Sequence, residues 1–212
     1  MWIRIFNAFT KVTGLPLDWF CFRTKVYYED QSVQSKRIKG PAILISNHTS
    51  VFDYAVYLFV FFFRTLRFQM AEVLFKKKLL GPFLKMMGGI YVNRDSKDLG
   101  FIAKSERILE KGGVVGIFPE GRLPRDGEER PLEFKTGAAY LALSTGVPVI
   151  PVYTNGSYFN RKRARVVIGK PIDARELARE DLSDKENILL VANHMRDRVI
   201  ELEKYLNERT SK

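Results

Sequence analysis

Ala42-Ile43-Leu44-Ile45-Ser46-Asn47-His48-Thr49-Ser50-Val51-Phe52-Asp53 passes from a short apolar run into a Ser-x-x-Asp helix-start signal. Four consecutive apolar residues without alternation fit a strand buried on both faces. The Ser50 and Asp53 pair predicts a capped helix over Ser50 to Phe63. A strand that runs directly into a helix is half of a β-α-β unit and points to a parallel sheet.

The same alternation continues outward from this junction. Short β-rich runs recur at Gly89 to Asn93, Val114 to Phe118, Val147 to Val152 and Arg165 to Gly169. Between them, Ser96 to Glu110 spaces Leu99, Ile102, Ile108 and Leu109 at helical intervals and stops at Gly112 and Gly113. Glu133 to Ser144 reads as a short helix, and a second capping box, Ser183 with Glu186, starts a last helix reaching Asn207. The expected architecture is a single α/β domain with a mostly parallel sheet flanked by helices. A chain of 212 residues with 46% apolar content fills one core and leaves little for a second. No repeat period or low-complexity tract interrupts it, and only the extreme termini are expected to be disordered.

Met1 to Phe22 is broken by Arg4, Asn7, Lys11, Pro16 and Asp18, so no cleavable secretory signal is expected. The most apolar stretch, Tyr54 to Phe63, has ten residues, whereas a membrane-spanning helix needs roughly twenty. Lying on a membrane is a different matter. Trp2, Ile3, Ile5, Phe6, Phe9, Trp19, Phe20 and Phe22 are interleaved with Arg4, Lys11, Arg23 and Lys25. Leu74 to Met87 repeats the mixture, with Lys76, Lys77, Lys78 and Lys85 among leucines and phenylalanines. An amphipathic helix packed on the core with its lysines in water accounts for either segment alone, and the pair together favours membrane contact.

The charge of +11, from 35 basic and 24 acidic residues, favours an anionic partner: phospholipid headgroups, nucleic acid or an acidic carrier protein. No nucleic-acid recognition motif accompanies it, so no nucleic-acid partner is expected. The single cysteine, Cys21, excludes an internal disulfide and a cysteine-rich zinc site, and reads as a small buried apolar residue.

His48 and Asp53 flank the strand-to-helix junction. With Ser50 as N-cap, Asp53 falls at the third helical position and leans back toward an imidazole on the preceding loop. A histidine held in one tautomer by a carboxylate can take the proton of an attacking alcohol. A capping box with a hydrogen-bonded loop histidine explains the same spacing without catalysis. A second set, Phe118-Pro119-Glu120-Gly121-Arg122, follows the strand Val114 to Phe118 at its carboxyl end, where ligands of open α/β sheets gather. Arg122 offers a planar fork of donors suited to phosphate, although a surface turn with a salt bridge has the same composition.

Four blocks thus stand in order: Asn47-His48-Thr49-Ser50-Val51-Phe52-Asp53, Gly89-Ile90-Tyr91-Val92-Asn93-Arg94, Phe118-Pro119-Glu120-Gly121-Arg122, and Val147-Pro148-Val149-Ile150-Pro151-Val152. In this the chain resembles the 1-acylglycerol-3-phosphate O-acyltransferase family, the lysophosphatidic acid acyltransferases of phospholipid synthesis, over most of its length. Phe134-Lys135-Thr136-Gly137-Ala138 is similar to the family's helix start.

The resemblance implies that His48 is the general base, Asp53 its partner, and that Arg94, Glu120, Gly121 and Arg122 hold the acceptor's phosphate. It implies direct transfer from acyl-coenzyme A or acyl-acyl carrier protein to lysophosphatidic acid, with no metal or cofactor. Residues 1–30 are expected to be a membrane-contacting segment and 31–212 the acyltransferase domain, working peripherally or monotopically on the cytoplasmic face of the cell membrane. The fourth block is expected to be a buried supporting strand.

Many relatives carry Thr between the Gly and Arg of the third block, whereas Arg122 follows Gly121 directly here. Arg125 is the next basic candidate for phosphate, but Arg125-Asp126-Gly127 reads as a solvated turn. Lys135 and His194 read as surface residues, and Arg161-Lys162-Arg163-Ala164-Arg165 as either an anion-binding cluster or a solvated face. The backbone amides of Thr49 and Ser50 are the candidate donors for the reaction's oxyanion. Another lysophospholipid or an amino-lipid remains open as acceptor, as does a non-catalytic lipid-binding module.

Overall fold

A computed structural model describes residues 1–93, 99–159 and 162–211. Seven strands form one sheet: β1 (Lys25–Tyr28), β2 (Ala42–Ser46), β3 (Leu66–Ala71), β4 (Ile90–Val92), β5 (Val114–Ile117), β6 (Val149–Thr154) and β7 (Arg165–Ile168), in the order β1-β7-β6-β2-β5-β3-β4. β6, β2, β5, β3 and β4 run parallel, and β7 turns antiparallel to β6 with β1 alongside it. The sheet is therefore mostly parallel, as the alternation of strands and helices implied.

The period of two along each strand divides the core. Ile43 and Ile45 of β2, Val115 and Ile117 of β5, and Val149 of β6 face one layer. That layer is made by α5 (Gly100–Glu110), α6 (Gly137–Thr145) and α8 (Asp184–Thr210). Ala42 and Leu44, Val114, and Ile150 and Val152 face the other, covered chiefly by α2 (Asp53–Val60). α8 starts with the predicted capping box, Ser183 and Glu186 satisfying each other's backbone amides. It buries Val191, Met195, Val199, Leu202 and Leu206 at helical spacing.

Several expectations change. β1 and β3 were not foreseen. The helix placed at Ser50 to Phe63 spans only Asp53–Val60, and the one placed at Glu133 to Ser144 begins at Gly137. The helix placed at Ser96 to Glu110 is seen from Gly100, with Ser96 outside the described residues. Among the described residues helix extends close to both termini: α1 (Trp2–Leu17) begins at the second residue, and α8 reaches Thr210. Cys21 is half-buried against the α2 side of the core.

α1 is inverted relative to an ordinary surface helix. Its inward stripe of Ile3, Asn7, Lys11 and Gly14 contains two buried polar residues, while Trp2, Ile5, Phe9, Val12 and Leu15 face outward. The Lys11 ammonium donates to the carbonyls of Phe61, Phe62 and Arg64 at 2.6–3.1 Å, capping the carboxyl end of α2. Burial pushes that ammonium down to about 8. Asn7 donates to the Met87 carbonyl at 3.0 Å, just past α4 (Leu80–Met86). A five-residue π-helical turn, Asp18–Phe22, continues α1 and leaves Trp19 74% and Phe20 73% exposed. Beside α1, α3 (Glu72–Phe75) and α4 expose Val73, Leu79 and Met86 next to Lys76, Lys77 and Lys78. Phe6 meets Phe83 edge-on at 5.9 Å, so the two aromatic and basic segments form one surface. Among the described residues no helix is long and apolar enough to cross a membrane.

Because Lys11 donates to three carbonyls at once, Lys11→Met is expected to lower stability by roughly 2 kcal/mol, most of it from the lost donor at the Phe62 and Arg64 carbonyls, since the Phe61 carbonyl still accepts from Arg64 N–H. A urea midpoint indistinguishable from the parent would show that the lysine is dispensable to α1 docking.

Candidate active site

The carboxyl ends of β2, β5 and β6 lie side by side, and each contributes one part of the site. From β2 the chain enters Asn47, whose side-chain amide donates to the Thr154 carbonyl and accepts from the Thr154 N–H, both at 2.9 Å. Asn47 thereby imitates one more peptide unit in the β2–β6 ladder and fixes where His48 leaves the sheet. Sequence reasoning gave it no role.

His48 Nδ1 lies 2.8 Å from Asp53 Oδ2. The His48 side chain keeps 19% of its surface accessible, while that of Asp53 is wholly buried. The same Oδ2 accepts from the backbone N–H groups of Thr49 (2.7 Å) and Ser50 (3.0 Å). Oδ1 accepts from the Thr49 hydroxyl (2.8 Å) and the Tyr158 hydroxyl (2.7 Å). A carboxylate surrounded by donors requires the imidazole to donate as well, which places the proton on Nδ1 and leaves Nε2 with its lone pair. Nε2 has no hydrogen-bond partner among the described residues.

The local arrangement differs from a capping box. Asp53 is the first residue of α2, not the third, and the Ser50 hydroxyl accepts from Phe52 N–H at 3.2 Å instead of capping the helix. Asp53 reaches back over the loop to collect the amides of Thr49 and Ser50. Those amides are consequently occupied by Asp53, which overturns their expected role as oxyanion donors.

From β5 comes a tight turn, closed by Gly121 N–H to the Phe118 carbonyl at 3.0 Å, with Pro119 at its second position. Gly121 takes φ +71°, and a Cβ there would come within 2.9 Å of the Lys135 side chain. Lys135 is itself exposed, its stem lying under the turn. The Phe118 ring stacks on the His48 imidazole at 4.2 Å and 13°, fixing the ring plane that Asp53 fixes at its edge. Glu120 is buried and accepts from His48 N–H (2.7 Å) and Leu132 N–H (3.0 Å). Burial pushes its carboxyl up, and those two amides oppose the shift.

Arg122 lies on the outside of the same turn, with its guanidinium clamped by Glu128 through Nη1 at 2.6 Å and Nη2 at 2.7 Å. Arg125 is exposed on the predicted turn, closed by Glu128 N–H to the Arg125 carbonyl. Arg94 and Arg161 lie outside the described residues. The structure thus brings His48, Asp53 and Glu120 together, sets Gly121 and Arg122 two steps outward, and adds Asn47 and Tyr158. His194 lies half-buried on α8. β6, which carries most of the fourth block, is buried throughout.

Residues 23–155 match the family model described as Acyltransferase. The chain belongs to the 1-acylglycerol-3-phosphate O-acyltransferase family. It is 30% identical over 140 residues to a 1-acyl-sn-glycerol-3-phosphate acyltransferase of Bacillus subtilis, covering 64% of this chain and 67% of that protein. A chloroplast protein of the same name from Brassica napus is 30% identical over 144 residues, 62% of this chain and 41% of that longer protein. The crystal structure of the 1-acyl-sn-glycerophosphate acyltransferase PlsC from Thermotoga maritima superposes with a TM-score of 0.62 at 24% identity. That superposition covers 95% of this chain and 79% of that one, and establishes a shared fold. Membership makes acyl transfer the activity of this site's family, and the matched segment contains all of His48, Asp53 and the Phe118-to-Arg122 turn.

Proposed function

We propose that the protein transfers a fatty acyl group from acyl-coenzyme A or acyl-acyl carrier protein to the free hydroxyl of 1-acyl-sn-glycerol 3-phosphate, making phosphatidic acid for phospholipid biosynthesis at a membrane surface. The observation that carries this reading is the imidazole of His48, held at Nδ1 by a saturated, buried Asp53 and left open at Nε2.

In this reading His48 Nε2 takes the acceptor's hydroxyl proton as its oxygen attacks the thioester carbonyl carbon. The carbon–oxygen bond forms, the tetrahedral oxyanion collapses, and the carbon–sulfur bond breaks to release a thiolate. Thiolate is a good leaving group, and the imidazolium returns the proton to it or to water. Asp53 stabilises the imidazolium meanwhile. Glu120 holds the His48 backbone from behind within the Glu120-Gly121-Arg122 block that, with Arg94, recognises the phosphate. Glu128 grips the Arg122 fork with both carboxylate oxygens, the same bidentate geometry by which a guanidinium takes a phosphate. The outward aromatics of α1 and the lysines beside α4 supply contact with an anionic bilayer, on its cytoplasmic face.

The test is turnover on vesicles with a panel of donors and acceptors, read by lipid mass spectrometry. Lysophosphatidic acid is expected to exceed a monoacylglycerol lacking phosphate by about a hundredfold in kcat/KM. Equal use of the two acceptors refutes the phosphate assignment. Preference for a different lysophospholipid or for an amino-lipid replaces the acceptor but keeps the chemistry.

A further inference from the structure

Tyr158 lies outside all four sequence blocks and 105 residues from Asp53, yet its hydroxyl reaches Asp53 Oδ1 at 2.7 Å. Its ring is buried and clamped edge-on by Phe22 at 5.5 Å. A phenol has one proton. That proton is directed at Asp53, so the Thr154 hydroxyl, 2.9 Å away, is the donor to Tyr158 oxygen. Thr154 Oγ1 in turn accepts from Gly156 N–H at 3.4 Å. A one-way chain of donors therefore runs from the end of β6 through Thr154 and Tyr158 to the carboxylate, each link polarising the next.

The loop that carries Tyr158 is shaped for this contact. Gly156 takes φ +65°, and a Cβ there would lie 2.6 Å from the Thr49 hydroxyl oxygen, so only glycine lets the loop close over the His48 junction. Phe159 packs edge-on against Phe52 at 4.6 Å and Phe22 at 5.3 Å, tying the loop to the turn before α2 and to the end of the amino-terminal segment.

We infer that Tyr158 is a positioning residue for acyl transfer, fixing the Asp53 carboxylate so that its second oxygen stays aligned with His48 Nδ1. Burial first, then the neighbouring Asp53 charge, pushes the Tyr158 phenol far up, so it remains a donor across the working pH range. The titratable groups around Asp53 and Tyr158 are His48 on the loop after β2, Glu120 on the β5 turn, Tyr57 on α2 and Tyr153 on β6.

The inference rests on the acyl-transfer reading of His48 and Asp53 and is tested separately from it. Tyr158→Phe keeps the ring and its packing but removes the hydroxyl. It is expected to lower kcat about fivefold to tenfold with the acceptor KM unchanged, as one hydrogen bond to a charged group is lost. It also leaves more charge on the carboxylate facing the imidazole. The acid limb of the kcat/KM profile should therefore move to higher pH. Thr154→Val, which removes the far donor together with the weak acceptor of Gly156 N–H, should move both readouts the same way by less. A Tyr158→Phe enzyme with parental kcat and an unmoved acid limb, whatever its melting temperature, overturns the inference. Retained turnover in His48→Ala would instead defeat the underlying reading, so the two failures are distinguishable.

Discussion

His48→Ala is expected to lower acyl transfer about a thousandfold while leaving the fold and vesicle binding intact. The size of the effect follows from the alcohol, a weak nucleophile at neutral pH that attacks a thioester slowly unless its proton is removed during the attack. The selectivity follows from the hydrogen bonds. Without the imidazole, Asp53 retains the amides of Thr49 and Ser50 and the hydroxyls of Thr49 and Tyr158. The junction therefore stays assembled. The proposed vesicle contact belongs to α1 and the lysines beside α4, separate elements from the β2–α2 junction that carries His48. Thiol release with lysophosphatidic acid present, co-sedimentation with anionic vesicles and a thermal melt check the three statements. Unchanged turnover in a folded variant would remove His48 from the mechanism and reopen the non-catalytic lipid-binding reading.

The centre of the sheet was legible because β2, β5 and β6 are buried on both faces and read as uninterrupted apolar runs. β3 was missed although Leu66, Phe68 and Met70 alternate with Arg67 and Gln69 in a clean period of two. The aromatic run from Tyr54 to Phe63 obscured it, by extending the apparent helix almost to its first residue. β1 is a four-residue edge strand that begins at Lys25, too short and too exposed for its composition to announce it. Within the site, His48 and Asp53 were legible because their contact spans five residues and one loop. The same nearness misled the details, since a Ser-x-x-Asp pattern reads as a capping box whether the aspartate caps a helix or starts one. Tyr158 was not legible, because its approach to Asp53 depends on β6 lying beside β2, which only the three-dimensional strand order decides. The inside-out character of α1 was half-legible. Its aromatics were seen, but the burial of Asn7 and Lys11 requires the carbonyls of Met87 and of the end of α2 to be waiting beneath them.

Asp53 offers the sharpest separation of capping from catalysis. An asparagine in its place can keep its carbonyl oxygen toward Thr49 N–H, Ser50 N–H and His48 Nδ1–H. Its amide nitrogen then faces the Thr49 and Tyr158 hydroxyls, which can turn to accept. The geometry and the imidazole tautomer survive, and the negative charge does not. Asp53→Asn is therefore expected to cost about 1 kcal/mol of stability and to lower kcat about a thousandfold, because the negative charge that stabilises the imidazolium at Nδ1 is gone. Asp53→Ala instead leaves two half-buried amides without an acceptor, and should lose about 3 kcal/mol of stability in addition to activity. Urea unfolding and steady-state kinetics on both variants measure the two quantities independently. If Asp53→Asn keeps its rate within tenfold of the parent, the carboxylate is only the organiser of a strand-to-helix turn. If the rate collapses while the fold holds, the charge acts on His48, and the buried donors around Asp53 keep that charge aimed at the imidazole.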